Sequence, residues 1–187
     1  MSPESEPRLA LLRLLRQEAL SLQEVRLTSG KVSNYYIDCR RVTLSAPGAY
    51  WTAQLLLPQL AAAGVVALGG LTLGADPIVA AVAALSFTTS TPLQAFIVRK
   101  EAKKHGRQRS IEGPDLPAGA RVAIIDDVAT TGRSLLQAIQ VVQAETTWQI
   151  AQVLCLVDRQ EGAGELLAQA GFALQSCYTA AELLGSP

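Results

Sequence analysis

The sequence predicts an α/β fold: a doubly wound, mostly parallel sheet of about five strands, with helices on both faces and a small N-terminal hood. Three observations lead to this expectation. From residue 46 onward, apolar segments of strand length alternate with helical patterns. The run from Val122 to Ile125 is unbroken and apolar, as befits a strand buried on both faces. Polar or glycine-rich turns follow the strands at Gly69, Arg99 and Asp126, the ends at which open α/β sheets hold ligands.

Taken in order, Ser5 and Pro7 suit the start of a helix carrying Leu11, Leu12, Leu15 and Ala19 at three- and four-residue spacings. Between Val25 and Arg41, alternation of Tyr35, Ile37 and Cys39 against Tyr36 and Asp38 predicts strands, with Ser29, Gly30 and Lys31 as the turn before them. Residues 1–45 thus supply a helix and the hood of a single domain spanning 1–187. A helix over 46–63 opens with Pro47 and stops at Gly64, and Pro58 should kink or interrupt it. Val65–Leu68 reads as a strand ending in Gly69-Gly70, and Asp76–Leu85 as a buried helix. The strands Leu93–Val98 and Trp148–Val157 flank the central run, and a helix over 134–144 follows it. The tail reads as helix 164–170, strand 172–177 and helix 179–184.

Composition narrows the function. Hydrophobic residues make up 49% and charged residues 17%, which excludes a disordered chain. Zero net charge provides no global field for nucleic acid or an anionic membrane, so any polyanion site must be a local cluster. Cys39, Cys155 and Cys177 are odd in number and lack a CxxC pair, fitting neither a disulfide framework nor a zinc site. Reduced thiols, an acidic start without a signal-peptide core and no apolar run of membrane-spanning length point to a cytoplasmic protein.

The chemistry concentrates in Arg121–Ser134, RVAIIDDVATTGRS. Thr130, Thr131, Gly132 and Ser134 bring hydroxyls and open backbone N–H groups to a helix amino terminus, which favours a phosphate. The adjacent carboxylates Asp126 and Asp127 would repel that phosphate, so they suit vicinal hydroxyls or a divalent cation instead. The bland alternative is a helix cap. The whole run of apolar residues, paired acids, hydroxyls and glycine favours a sugar phosphate.

Two further stretches concern anions. The turn GGLTLGADP (69–77) has the glycine content to bring backbone amides of Thr72–Ala75 to a charged group, yet matches neither GxGxxG nor GxxxxGKS/T. Arg99, Lys100, Lys103, Lys104, Arg107 and Arg109 crowd one segment with the single histidine, His105. Long loops of this kind act as lids or binding loops, although a solvated face is the plainer account.

Residues 122–134 resemble the 5-phosphoribosyl 1-diphosphate (PRPP) signature of type I phosphoribosyltransferases. SGKVSNYYID (29–38), GGLTLGADP (69–77) and VRKEAKKHGRQRSIEG (98–113) resemble the orotate phosphoribosyltransferase family in particular, in that family's order. The resemblance implies the type I fold and Mg²⁺-dependent, reversible transfer of ribose 5-phosphate from PRPP to N1 of orotate, a step of UMP biosynthesis. It assigns PRPP contacts to Arg99, Lys100, Lys103, His105, Asp126, Asp127, Val128, Ala129, Thr130, Thr131, Gly132, Arg133 and Ser134. Among these, Lys103, Asp126 and Asp127 are the catalytic candidates, with Mg²⁺ held mainly by substrate and also by the two aspartates. It assigns orotate contacts to Thr130, Arg159, Tyr35 and Tyr36, with Arg159 forking onto the orotate carboxylate. It further implies a homodimer whose lid reaches the neighbouring site, and no nucleic-acid or membrane partner.

The chain departs from the family at Thr28, where enteric members carry a lysine, and in the 69–75 turn, where some members have one. Alternation lets only one of Tyr35 and Tyr36 stack on a base, and Arg159 has a rival role in a surface salt bridge with Asp158 or Glu161. A purine-base phosphoribosyltransferase and a non-catalytic PRPP-sensing regulator are the competing functions.

Overall fold

Apolar strand residues divide by alternation between two helical layers, and this division sets the architecture. The computed structural model describes residues 5–23, 25–26, 32–100 and 110–185. Its main sheet contains β5 (Ala67–Leu71), β6 (Gln94–Val98), β7 (Ile111–Glu112), β8 (Arg121–Ala129), β9 (Gln149–Asp158) and β10 (Leu174–Thr179), in the order β10-β9-β8-β5-β6-β7. Five of these strands are parallel and β7 is an antiparallel edge. The sheet therefore has six strands where the sequence suggested about five, because a two-residue edge strand carries no periodicity to detect.

Helices α3 (Ala46–Ala62) and α4 (Asp76–Ser86) bury Leu56, Leu60, Ile78 and Val82 against Leu68, Ala123, Ile125 and Leu154 on one face. On the other, α5 (Arg133–Glu145) and α6 (Ala163–Gln169) bury Leu135, Ile139, Val142 and Leu167 against Phe96, Val122, Ile124 and Val153. Alternate residues of β8 thus feed both layers, which is why its sequence is apolar without a break. Helix α1 (Glu6–Leu14), extended by a π turn over Leu15–Ala19, places Leu11 and Leu15 in the first layer. Helix α7 (Ala180–Leu184) closes the chain behind a capping box formed by Thr179 and Glu182.

The hood consists of two antiparallel pairs, β1 (Leu20–Ser21) with β4 (Tyr36–Ile37) and β2 (Val25–Arg26) with β3 (Val32–Ser33). Its expected strand stops at Ile37 and does not reach Arg41. Asp38 accepts from the Arg40 N–H at 3.2 Å and starts α2 (Arg40–Thr43), whose Val42 is buried. Helix α3 continues through Pro58. That proline lies on the exposed side, where water can take the carbonyl it leaves without a donor, while Leu55, Leu56 and Leu60 hold the inner side.

Gly69 and Gly70 belong to β5 and not to the turn after it. A β-carbon on Gly69 would sit 2.2 Å from the Phe96 ring, and one on Gly70 would sit 2.0 Å from the Ile125 carbonyl oxygen. These glycines are needed for strand packing. The three cysteines are free and buried. No described helix is long and apolar enough to cross a membrane. Thr28, the expected turn of Ser29, Gly30 and Lys31, and Lys103, Lys104, His105, Arg107 and Arg109 lie outside the described residues.

Candidate active site

Chain order creates the cleft. From β5 the chain moves to one edge of the sheet, and β8 then returns on the other side of β5, making this the topological switch point. Pairing between β5 and β8 ends at Gly69 and Ile124, while β8 continues alongside β9 to Ala129. The parting strands expose Asp126 and Asp127 at the mouth of a cleft of about 280 Å³, walled by Tyr36, Arg40, Leu73, Gly74 and Lys100. The expected strand ended before the aspartates, whereas β8 carries them within its extended length.

Both acids are held by local backbone bonds. The Asp127 N–H donates to Asp126 Oδ1 at 3.0 Å and the Val128 N–H to Asp127 Oδ1 at 2.9 Å. Asp126 is only 8% exposed. Burial, followed by the neighbouring Asp127 charge, pushes the Asp126 carboxyl well above the usual range, and burial raises Asp127 as well. Lys100 offsets part of this at Asp126. Neither aspartate is seen in a side-chain cap of α5, whose N-cap is Gly132 at φ 76°. The capping alternative therefore fails.

Beside the cleft, and sharing Asp126, Val128 and Ser134 with it, lies a hollow of about 170 Å³ lined by Ala129, Thr130, Thr131, Gly132 and Arg133. Gly132 permits the left-handed turn into α5, and a β-carbon there would lie 3.1 Å from Ala163. Hydroxyls and the amino terminus of a 13-residue helix converge on this hollow. An anion in the hollow and a hydroxylated ring over the acids would be neighbours.

The turn after β5 closes the opposite wall. Thr72 donates its N–H to the Val98 carbonyl at 2.9 Å and its hydroxyl to Asp76 at 2.7 Å; the Ala75 N–H reaches the Leu71 carbonyl at 3.4 Å. The amide contacts expected from Thr72–Ala75 accordingly narrow to Leu73 and Gly74. Gly74 faces the acids directly: its β-carbon would fall 2.7 Å from Asp126 Oδ1 and 2.4 Å from Asp127 Oδ1.

Arg99 sits outside this cleft, in an adjoining groove with Thr72, Lys100 and Glu112, and pairs with Glu112 at 3.4 Å. The two ends of the cationic segment rest on α5. The Gln137 amide donates to the Lys100 carbonyl at 3.2 Å, and the Ser110 N–H donates to both oxygens of Glu145, at 3.1 and 3.0 Å.

Tyr35 and Tyr36 do point apart, as their alternation implied. Tyr36 is 39% exposed and lines the cleft, whereas Tyr35 packs on the core with the Arg159 guanidinium 4.5 Å above its ring. Arg159 is 4% exposed in its side chain and bonds Glu161 through Nε at 2.8 Å. The rival ion pair is thus present, with Glu161 of the two expected partners, its arginine buried and its glutamate 26% exposed.

Sequence reasoning missed Asp38 and Arg40. Asp38 accepts from Arg40 Nε at 2.8 Å and Nη2 at 3.1 Å, a fork that holds its carboxyl below the usual range. The opposite charges two residues apart, directly after the hood strand, were the available signal. Among the described residues no group of three or more His, Cys, Asp or Glu side chains is placed to hold a metal ion.

No protein-family model matches the chain. An orotate phosphoribosyltransferase from Thermosynechococcus vestitus is 47% identical over 173 residues, covering 92% of this chain and 90% of the relative. The orotate phosphoribosyltransferase of Mycobacterium tuberculosis in complex with Fe(III) dicitrate aligns with a TM-score of 0.82 at 37% identity, over 95% of this chain and 98% of that one. The structure of the same enzyme in complex with PRPP aligns at 0.77 and 33% identity, over 95% and 98% of the two chains.

Proposed function

Because the chain belongs to the orotate phosphoribosyltransferase family, we propose that it transfers the 5-phosphoribosyl group of PRPP to N1 of orotate, forming orotidine 5′-monophosphate and diphosphate reversibly. One observation carries this reading: the cleft with the paired acids and the hydroxyl-lined hollow at the helix terminus adjoin, sharing Asp126, Val128 and Ser134, an arrangement that suits a phosphorylated sugar. The Mycobacterium tuberculosis relative in complex with PRPP supports the donor.

Transfer breaks the C1–O bond to diphosphate, which leaves with the bonding electron pair, and makes a C1–N1 bond, while the N1 proton of orotate passes to solvent. Positive charge grows on the ribose and negative charge on the leaving group, so preorganised charges matter more than a strong base. Thr130–Ser134 hold the 5-phosphate at the start of α5. Asp126 and Asp127 accept hydrogen bonds from the ribose hydroxyls and lie near the developing positive charge. Lys100, with Arg99, Lys103 and His105 of the same cationic segment, would supply the positive charge that the diphosphate needs. Tyr36 in the cleft wall lies along the base, and Arg159 meets the orotate carboxylate, with Tyr35 serving it as a support.

Two adjacent carboxylates fit part of a Mg²⁺ shell and not a whole one. Asp126 and Asp127 would therefore share an ion whose other ligands come from substrate, and bound Mg²⁺ would neutralise the departing diphosphate. A homodimer with the cationic segment reaching the partner's site completes the reading. Mixed dimers of Lys103→Ala and Asp127→Asn chains should then recover activity.

The deciding assay supplies purified protein with Mg²⁺ and PRPP and follows orotate loss with diphosphate release. Adenine and uracil in place of orotate should give little or no turnover. Preferential use of adenine, or no turnover of orotate, would reject the proposal.

A further inference from the structure

The turn between β9 and α6 is shaped so that one acidic side chain returns to the arginine beside it. The Arg159 N–H donates to the Ala129 carbonyl at 2.9 Å, fixing its backbone to the end of β8 one residue before Thr130. Gln160 then adopts a left-handed backbone at φ 59°, unfavourable for a residue with a side chain, and its N–H donates to Asp158 Oδ1 at 2.8 Å. Gly162 continues the reversal at φ 105° and caps α6. The outcome is that Glu161, two residues on, meets Arg159 Nε at 2.8 Å.

Arg159 is constrained from a second direction by the Tyr35 ring, 4.5 Å below the guanidinium carbon. A guanidinium is planar. Contact with its face fixes the tilt of the plane, and a bond at Nε fixes rotation within that plane. Together they restrain the tilt and the in-plane rotation of the guanidinium. A buried arginine with side-chain exposure of 4% is otherwise costly unless its charge is paired, and Glu161 supplies the pairing as well.

We propose that Glu161 is a positioning residue for base recognition, which with Tyr35 holds the Arg159 fork in the orientation that accepts the carboxylate of a pyrimidine base. This rests on the assignment of Arg159 to orotate made above. Tyr35 then acts through Arg159, while Tyr36 alone faces the cleft. An arginine ordered in advance loses less side-chain freedom when the carboxylate arrives, and that saving appears in binding of the anionic base rather than in bond breaking.

The test measures KM and kcat for orotate, with uracil as the carboxylate-free comparison, in Glu161→Ala, Glu161→Gln, Tyr35→Leu and Arg159→Ala. Glu161→Ala should raise KM for orotate about tenfold, the scale of ordering one long side chain, with kcat and uracil use little changed. Glu161→Gln should stay near the unmodified enzyme, since its amide oxygen still accepts from Nε. Should Glu161→Ala fail to fold, the glutamine variant and Tyr35→Leu decide: Tyr35→Leu must raise KM for orotate selectively. Arg159→Ala losing orotate preference while Glu161→Ala and Tyr35→Leu keep it would overturn the positioning role and leave the Arg159 assignment standing. A glutamine variant as impaired as the alanine one would also overturn it, by showing that charge and not direction matters. Full orotate preference in Arg159→Ala would remove the assignment itself.

Discussion

Gly74 approaches Asp127 so closely that a β-carbon built on the glycine would lie 2.4 Å from the carboxylate oxygen. The turn after β5 and the end of β8 therefore meet only because position 74 carries no side chain. Gly74→Ala must move the turn away from the acids. A displacement near 1 Å is enough to lower turnover roughly a hundredfold. Steady-state kinetics with PRPP, together with a melting curve close to the unmodified protein's, would bear this out; full activity would show that the approach is dispensable.

Asp126 and Asp127 should cost stability in exchange for function. Burial raises both folded pKa values above those of the unfolded chain. The folded state then binds more protons across that window, so their contribution to stability is fully present below the unfolded value of about 4 and is lost as pH rises. Asp126→Asn should remove this loss, making the protein at least as stable as the unmodified one near neutral pH while weakening PRPP use by roughly two orders of magnitude. Denaturant titrations of both proteins between acidic and neutral pH would check it. An asparagine variant less stable at neutral pH would contradict the raised pKa.

Asp38 should behave in the opposite sense. Its fork with Arg40 lowers the folded pKa, so the contribution is present above the unfolded value and fades as pH falls. Asp38→Asn ought to narrow the stability gap between neutral and acidic pH, measured by the same titrations; an unchanged gap would mean that the ion pair is neutral to folding.

Glu145 anchors the far end of the cationic segment through the Ser110 N–H. Glu145→Ala is expected to speed hydrogen exchange at Ser110 and reduce kcat several-fold, with KM for orotate little affected. Glu145→Gln, which keeps an acceptor, should fall between the two. Unaltered exchange at Ser110 would show that the backbone bond from the Arg99 N–H to the Ser110 carbonyl, at 2.8 Å, suffices alone.

Thr179 offers a control remote from the chemistry. It caps α7 reciprocally with Glu182, whose carboxylate also receives the Arg8 guanidinium. Thr179→Ala should lower stability by about 1 kcal/mol, as loss of an N-cap does. Kinetics should not move. A change in KM for PRPP would reveal coupling between the chain's two ends and the cleft.

What the sequence determined by itself was whatever depends on neighbours along the chain. The apolar run at Val122–Ile125 suits a strand covered on both sides, and the hydroxyls and glycine of Thr130–Ser134 mark a helix start suited to an anion wherever the sheet places it. Alternation likewise put Tyr35 and Tyr36 on opposite faces. It could not say which face meets the cleft, because that depends on how the hood lies against β8 and β9. Tertiary packing decided that Tyr35 lies against Arg159 while Tyr36 lines the cleft. It also decided that Gly69 and Gly70 serve strand packing, that Gly74 meets the acids, and that Asp38 folds onto Arg40 instead of continuing a strand. Each of these choices turns on atoms brought together by neighbouring strands, by the hood, or by one local turn. A periodicity of two or of 3.6 carries no record of such meetings.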